Sequence, residues 1–469
     1  MPRIFNQYVS PQTFSLLAAD VVVMSASFLI GIRLRYLGDA ESWSYYSEMP
    51  DFAYRIAVAI GVFIFCGYYN GLYSPRLFRG LSDQFFKLLQ TLGFACFILA
   101  MLYFVAPVLR VGRGAFAAGL AAVLIGVFLF RAASDLWWRS VVQPETVAIV
   151  GDGDLAAETA HEIAYRRDLR MHIAGFIALR PLDVAVAAGQ VEEARVLGSA
   201  DHVEEIVKTH RIQRLIVADD RGQGLVPFKH LLKVRTRGTA VEDAHAVMTS
   251  LTGRIPLNAV ESSWFLFSAG FRRSRYQSAF KRLVDLVLSS IGLVCSLPIM
   301  ALTAAAVKLD SRGPALFRQR RLGLNGQTFE LMKFRTMRED AEADGVARWA
   351  EENDPRLTRI GGFLRKYRFD ELPQFINVIR GQMSFVGPRP ERPEFVERLR
   401  KTIPYYDERL TMRPGITGWA QVCYPYGATE EDALRKLEYD LFYLKNVSIL
   451  FDIAIVFQTI KIILTGRGR

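Results

Sequence analysis

The chain carries only six histidines in 469 residues, and all six (His161, His172, His202, His210, His230 and His245) fall in its middle third. Nothing beyond His245 can use imidazole as ligand, base or nucleophile, so such work there falls to carboxylates, Lys, Tyr, Ser or Cys. Cysteine is equally sparse: Cys66, Cys96 and Cys295 lie inside apolar stretches and Cys423 stands alone, which gives no metal or disulfide spacing. They read as plain core residues. Charged residues make up 22% of the chain against 51% hydrophobic, a balance too apolar for an ordinary soluble enzyme. A membrane is implied.

The net charge of +11 is concentrated. From Phe271 to Arg338 there are thirteen Lys and Arg against three acids. A basic patch beside an apolar run suits anionic lipid head groups and phosphates; nucleic acid is the rival partner for any basic chain, and the apolar run argues against it.

Four apolar stretches, Thr13 to Ile32, Phe52 to Tyr69, Phe85 to Val108 and Ala115 to Ala132, are each long enough to cross a ~30 Å hydrocarbon core as a helix. The first lacks a small-residue cleavage pattern, so a removable signal peptide is not expected. Arg76, Arg79 and Lys87 outweigh Asp83 in the second loop, whereas Asp39, Glu41, Glu48 and Asp51 face three Arg between Arg33 and Arg55. That asymmetry places the second loop and both ends of a four-helix bundle (1–140) in the cytoplasm.

From Glu145 the texture becomes βαβ: TVAIVGDGDLAAETAHEIA, MHIAGFIA, HRIQRLIVADD and GTAVEDA predict a Rossmann-like parallel sheet over 145–250. Gly151-Asp152-Gly153-Asp154-Leu155-Ala156 occupies the position of a dinucleotide fingerprint. However, the second strand, ending near Leu179-Arg180, has no acid at its tip for a ribose, and Asp152 and Asp154 would repel a pyrophosphate. A degenerate, structural or regulatory domain is expected ahead of a cofactor site, with His161 and His172 at its surface.

Residues 251–278 read as a linker ending in Arg272-Arg273-Ser274-Arg275, and 279–469 as a mainly α catalytic domain. Within it, the run 283–307 is long enough for a fifth span but contains Gly292 and Pro298. A fifth crossing would put the rest of the chain outside the cell; a re-entrant helix kinked at Pro298 keeps Lys281-Arg282 and Lys308-Arg312 on one cytoplasmic face. Ser448 to Leu464 reads either as an interfacial amphipathic helix or as a core helix of the same domain.

The chemistry concentrates in RFDELPQFINVIRGQMSFVGPRPER. Asp370-Glu371 precede Pro373, so either acid is expected to cap the helix QFINVI. Nineteen residues after Asp370, Arg389 sits between Pro388 and Pro390, its planar fork suited to phosphate oxygens. Acids beside a locked Arg point to phosphoryl chemistry at a membrane face.

With KFRTM at Lys333 to Met337, DELPQ at Asp370 to Gln374, MSFVGPRP at Met383 to Pro390 and RPGITGWAQV at Arg413 to Val422, the chain from Lys281 onward resembles the bacterial sugar transferases, the monotopic polyprenyl-phosphate phosphoglycosyl transferases. The whole layout is similar to their large subgroup, which starts exopolysaccharide, capsule or O-antigen units. The resemblance implies transfer of a hexose 1-phosphate, glucose or galactose first, from a UDP-sugar to undecaprenyl phosphate at the bacterial inner membrane, with release of UMP. It implies Asp370 as nucleophile and Glu371 as its partner. Mg²⁺ is expected as cofactor, since carboxylates beside a diphosphate need a cation and no Cys/His cluster exists; Asp370 is the expected ligand. Arg389, Lys333 and Arg335 are the expected phosphate contacts. The tight loop Arg413, Pro414, Gly415, Thr417, Gly418 is the expected uridine or phosphate holder, with Trp419 either a flat face for it or core packing. Asp440 is expected only to support. The family's Ser before the helix-breaking Pro is replaced by Leu297, with Ser296 one residue earlier, which leaves open the hydrogen bonding at the bend. Two other classes stay open, a membrane nucleotide-sugar dehydratase or epimerase using NAD in the middle domain, and a non-catalytic scaffold of polysaccharide assembly. A homodimer is compatible with the sheet edge and the bundle.

Overall fold

A computed structural model describes residues 3–4, 7–8, 11–39, 41, 43–44, 48–73, 81–141, 143–166, 169–179, 196–219, 226–257, 270–271, 274–339, 341, 349, 354–424, 427 and 429–464. Arg76, Arg79, Arg180, Arg272 and Arg273, which entered the topology, cofactor and linker arguments, lie outside them. Contacts divide the chain into two compact units, one running to Ala244 and the other from His245.

The first unit begins with four long helices, α1 (Pro11–Arg35), α2 (Phe52–Asn70), α3 (Leu81–Val105) and α4 (Arg113–Val141). All four are long and apolar enough to cross a membrane. Helices α1 and α4 approach closely because small residues line their seam: a Cβ at Gly126 would lie 2.1 Å from Ser27 Oγ, and one at Gly31 2.5 Å from the Ala118 carbonyl. Asp20 and Arg131, buried in this seam, pair with each other.

The same unit contains a five-stranded parallel sheet of β1 (Glu145–Val150), β2 (Met171–Ala178), β3 (Val196–Ser199), β4 (Arg214–Val217) and β5 (Ala240–Asp243), in the order β3-β2-β1-β4-β5. The expected parallel sheet is present, in a Rossmann-like order, with one edge strand, β3, that the sequence pattern did not reveal. Helices α5 (Asp154–Tyr165), α6 (Val203–Thr209) and α7 (Phe228–Thr236) lie between the strands. Gly151 has φ 147°, and a Cβ there would lie 2.2 Å from the Ala218 carbonyl. The first fingerprint glycine is therefore required by the neighbouring strand end itself.

The second unit opens with α8 (Ala244–Thr252), whose first residue belongs to the other unit. Residues 251–257 are not a free linker: Ile255 and Leu257 are buried, and their amides bond to the Glu438 carbonyl (3.1 Å) and its carboxylate (3.0 Å). The 36-residue helix α9 (Arg275–Asp310) starts at a Ser274/Gln277 capping box and runs through Pro298. Its burial is inverted. Asp285, Ser289, Ser296 and Thr303 are buried, while Leu283, Val287, Ile291, Val294, Leu297 and Leu302 are exposed, as expected of a helix with its polar stripe on protein and its apolar face toward lipid. Ser296 Oγ donates to the Leu293 carbonyl (3.1 Å), so the hydroxyl one residue early supplies a bond at the proline turn.

An antiparallel hairpin, β6 (Leu316–Leu322) and β7 (Thr328–Phe334), precedes α10 (Gly361–Lys366), α11 (Gln374–Ile379), β8 (Ser384–Val386) and α12 (Pro393–Thr402). Then follow β9 (Gly415–Thr417), α13 (Trp419–Cys423), α14 (Glu430–Lys445) and α15 (Ile449–Leu464). Leu437, Leu441, Phe442 and Tyr443 of α14 form the core with Phe451 and Ile455 of α15. The other face of α15 exposes Leu450, Ile453 and Phe457, so this helix joins core packing to an outward apolar stripe.

β8 and β9 pair in parallel with Ser384 opposite Gly415, and their glycines permit the approach. A Cβ on Gly415 would lie 2.1 Å from the Gly387 nitrogen, whereas one on Gly362 would meet nothing within 4 Å. Gly415→Ala should therefore lower the melting temperature of the purified protein sharply or prevent folding, and Gly362→Ala should leave it within a few degrees; equal melting curves would remove the packing role of Gly415.

Candidate active site

Asp370 and Glu371 do not cap a helix. They sit in a 3₁₀ turn, Phe369–Glu371, and the capping position of α11 is occupied by Pro373 with no side-chain bond. The competing geometry is the left-handed Arg368 (φ 54°), which turns the chain into the tight 3₁₀ step before α11 can begin. Both carboxylates are nearly buried, at 7% and 9% exposure.

Their surroundings differ. Glu371 accepts from Arg389 Nη1 (3.1 Å) and Arg368 Nη1 (3.4 Å), and Gln421 Oε1 accepts from the same two arginines (3.0 and 2.8 Å). Burial pushes Glu371 up, but Arg389 and Arg368 more than offset it, leaving its carboxyl below the usual range. Among the described residues Asp370 makes no hydrogen bond or ion pair. Burial first and Glu371 second raise it to about 6, against the opposing pull of Lys333, Arg365 and Arg389. Lys333, from β7, is lowered to about 8 by burial and by Arg321, while Asp370 pulls it back up. One acid is neutralised and held, and the other is left available beside cations.

The remaining expected residues divide into two groups. Arg389 joins the acids, its side chain still 44% exposed and its carbonyl held by Arg409 Nη2 (2.9 Å). Arg409 also pairs with Asp440 (2.8 Å), so Asp440 supports the Arg389 loop from the core. Arg335, by contrast, is spent on the end of α9, donating to the carbonyls of Ser311 and Arg312. It clamps backbone and is not placed to grip a phosphate. Arg413 Nε donates to the Gly381 carbonyl (2.9 Å), beyond the far end of α11 from the acids. Pro414, Gly415, Thr417 and Gly418 are not an open amide-rich loop either: Gly415 N donates to Pro388 O, Thr417 O accepts from Gly387 N, and Thr417 Oγ1 meets Thr459 Oγ1 at 2.6 Å. Trp419 is core, 6% exposed, with Nε1 on the Gly253 carbonyl (2.8 Å). Pro298 lies inside α9. Arg365, Arg368 and Gln421 were missed, although Arg368 adjoins the acids in sequence and Gln421 ends the RPGITGWAQ run.

Residues 276–466 match the family described as Bacterial sugar transferase, and 69–218 match a CoA-binding domain family. The UDP-glucose:undecaprenyl-phosphate glucose-1-phosphate transferase of Xanthomonas campestris pv. campestris is 30% identical over 98% of this chain and 95% of its own. The UDP-N-acetylgalactosamine-undecaprenyl-phosphate N-acetylgalactosaminephosphotransferase of Aeromonas hydrophila is 41% identical over 47% of this chain and 52% of its own. The undecaprenyl-phosphate glucose phosphotransferase of Komagataeibacter xylinus is 36% identical over 67% and 58%. The alignment thus spans about half the length of the last two and nearly all of the first.

Because Asp370 is harder to ionise folded than unfolded, its ionisation costs stability. The cost is absent below the unfolded value of 3.8, grows as pH rises, and is complete above about 6. Asp370→Asn should therefore stabilise the protein at pH 7.5, by up to about 2 to 3 kcal/mol, with the gain vanishing near pH 4. Melting curves of both proteins across that range check this; a destabilised variant at pH 7.5 would contradict it.

Proposed function

Because the chain belongs to the bacterial sugar transferase family, we propose that it transfers a hexose 1-phosphate from a UDP-sugar to undecaprenyl phosphate, with UMP as the other product. The observation that carries this reading is the unpartnered Asp370 carboxylate, nearly buried next to an ion-paired Glu371 and the Lys333 ammonium. A largely buried carboxylate near cations and free of ion pairs is a nucleophile for a phosphate ester. Asp370 oxygen attacks the β-phosphorus, the bond from that phosphorus to the bridging oxygen breaks, and UMP leaves with the electron pair. An oxygen of the lipid phosphate then attacks the same phosphorus and displaces Asp370. Above a second pKa of about 6 the lipid phosphomonoester is a dianion, so neither step requires a proton to be removed from the attacking group. That suits a domain without histidine.

Arg389 stands at the mouth of the turn, where its exposed fork can exchange Glu371 for phosphate oxygens. Lys333 places positive charge beside the attacked phosphorus. Gln421 Oε1, which accepts from both Arg368 and Arg389, holds the two guanidiniums together while Glu371 is disengaged. Among the described residues no three His, Cys, Asp or Glu converge, but a lone carboxylate with substrate phosphates and water is an ordinary Mg²⁺ environment, and the unpartnered Asp370 fits it. Bound there, Mg²⁺ supplies neutralisation of the diphosphate.

The substrate sugar is read as glucose or galactose, the full-length Xanthomonas relative being named for glucose. The reading also places the catalytic unit on the cytoplasmic face of the bacterial inner membrane with α9 re-entrant. Ties at both ends of that helix support this: Asp285 accepts from Ser384 Oγ (2.8 Å) and Phe385 N (3.1 Å), while Asp310 accepts from Ile360 N (3.2 Å). In a variant without its native cysteines, Arg318→Cys should resist an impermeant thiol reagent in intact cells and react after permeabilisation; labelling from outside would make α9 a full span.

Asp370→Asn should abolish UMP release from UDP-glucose or UDP-galactose in the presence of undecaprenyl phosphate, and incubation of the native protein with UDP-sugar alone should add a phosphohexose mass on Asp370. Retained turnover would remove Asp370 from the role. The kcat/KM profile should rise through about pH 6 as Asp370 ionises and fall through about pH 8 as Lys333 loses its proton. Lys333→Met should erase the alkaline limb and shift the acidic limb upward, since it withdraws a charge that favours the Asp370 anion.

A further inference from the structure

The catalytic unit contains a second basic site, a cavity of about 640 Å³ between the first turns of α9 and the start of α15. Its rim is apolar and exposed: Tyr276 is 88% exposed, Phe280 54%, and neighbouring Leu450 69%. Its walls carry Lys281, Arg282 and Arg413 against Asp285 and Asp452, which leaves one uncompensated positive charge. The carboxylates are already engaged. Asp452 pairs with Lys281 (2.6 Å), and Asp285 is held by Ser384 and the Phe385 amide.

The two arginines converge on one end of α11. Arg282 donates to the Val378 carbonyl (2.7 Å) and the Ile379 carbonyl (3.1 Å), and Arg413 donates Nε to the Gly381 carbonyl. Each thereby fixes its guanidinium, and the two are near enough to repel. Among the described residues only Nε of Arg413 is engaged in a hydrogen bond, so its two terminal nitrogens remain for an anion entering the cavity. The acids of the catalytic turn precede the opposite end of this helix, so a ligand here is separate from the phosphoryl centre.

We infer that this cavity binds the phosphate of an anionic glycerophospholipid, with Arg413 and Arg282 on the headgroup and Tyr276 and Phe280 against the acyl-chain boundary. A lipid source is favoured over free phosphate because the rim is apolar and belongs to α9, the helix with the outward apolar face. Aromatic residues at a headgroup level and basic residues just behind them are the combination that such a lipid recognises. One phosphodiester charge matches the single excess cation and relieves the repulsion between the guanidiniums.

The full-length protein, reconstituted in nanodiscs of equal phosphatidylglycerol and phosphatidylcholine and released for native mass spectrometry, should retain phosphatidylglycerol. Arg413→Gln should weaken that retention by about fivefold, the effect of one basic contact with an anionic lipid. Gln277→Glu supplies an independent variant: glutamate preserves the Ser274 capping box yet adds a negative charge to the cavity wall, so it should also lose retention while melting as the native protein does. Retention indifferent to headgroup charge or to both variants would overturn the inference. Displacement by millimolar inorganic phosphate would overturn the lipid source, and one-for-one displacement by undecaprenyl phosphate would make the cavity part of the acceptor site instead.

Discussion

Two adjacent buried carboxylates cannot both be ionised cheaply, and the rest of the catalytic unit is arranged around that constraint. Glu371 receives the fixed cations, Arg389 and Arg368, and among the described residues Asp370 receives none by contact. The pair thus splits by environment alone into an ion-paired member with a lowered pKa and a member with a raised one. Had the arginines been shared evenly, both acids would be held ionised by guanidinium and the difference between them would be lost. Lys333 completes the asymmetry, since an ammonium with a lowered pKa favours the Asp370 anion without tying it up in a hydrogen bond.

Holding that split requires the Arg389 loop to stay put. The parallel pair of β8 and β9 provides the floor, with glycines where the backbones nearly touch, and Arg409 provides the wall by bonding Tyr406, Asp440 and the Arg389 carbonyl together. A buried Arg–Asp pair of this kind contributes little net stability, but removing one partner leaves the other charge stranded. Its worth here is positional: it fixes where the Arg389 side chain leaves the main chain.

The sequence made the membrane helices, the parallel sheet and the acid pair legible, because apolar run length, strand-helix alternation and an uninterrupted motif are local signals. What it hid is spatial. Arg335 and Lys333 are two residues apart on one motif, yet Arg335 meets the end of α9 while Lys333 lies over the Phe317 ring, near enough for its charge to act on Asp370. The RPGITG run has the composition of an anion-binding loop, but its glycines serve a strand pairing about thirty residues away in sequence. Gln421 matters only because that pairing brings it under two arginines that lie on other segments. Pro373 promised a capped helix and delivered a 3₁₀ turn because Arg368 enters through the left-handed region first.

Helix α11 joins two charge environments, and its shortness is what makes this possible. Six residues span about 9 Å, so the acids before its first turn and the arginines at its last carbonyls belong to one rigid piece. Arg282, from α9, grips the carbonyl end of α11, and Phe375 on α11 lies against Gly292, where a Cβ would come within 2.9 Å of the ring. Any tilt of α9 in the bilayer must therefore carry α11 with it, and the Asp370 turn follows directly behind. On the reading proposed above, the seating of α9, rather than the soluble face of the domain, sets the depth of the Asp370 turn.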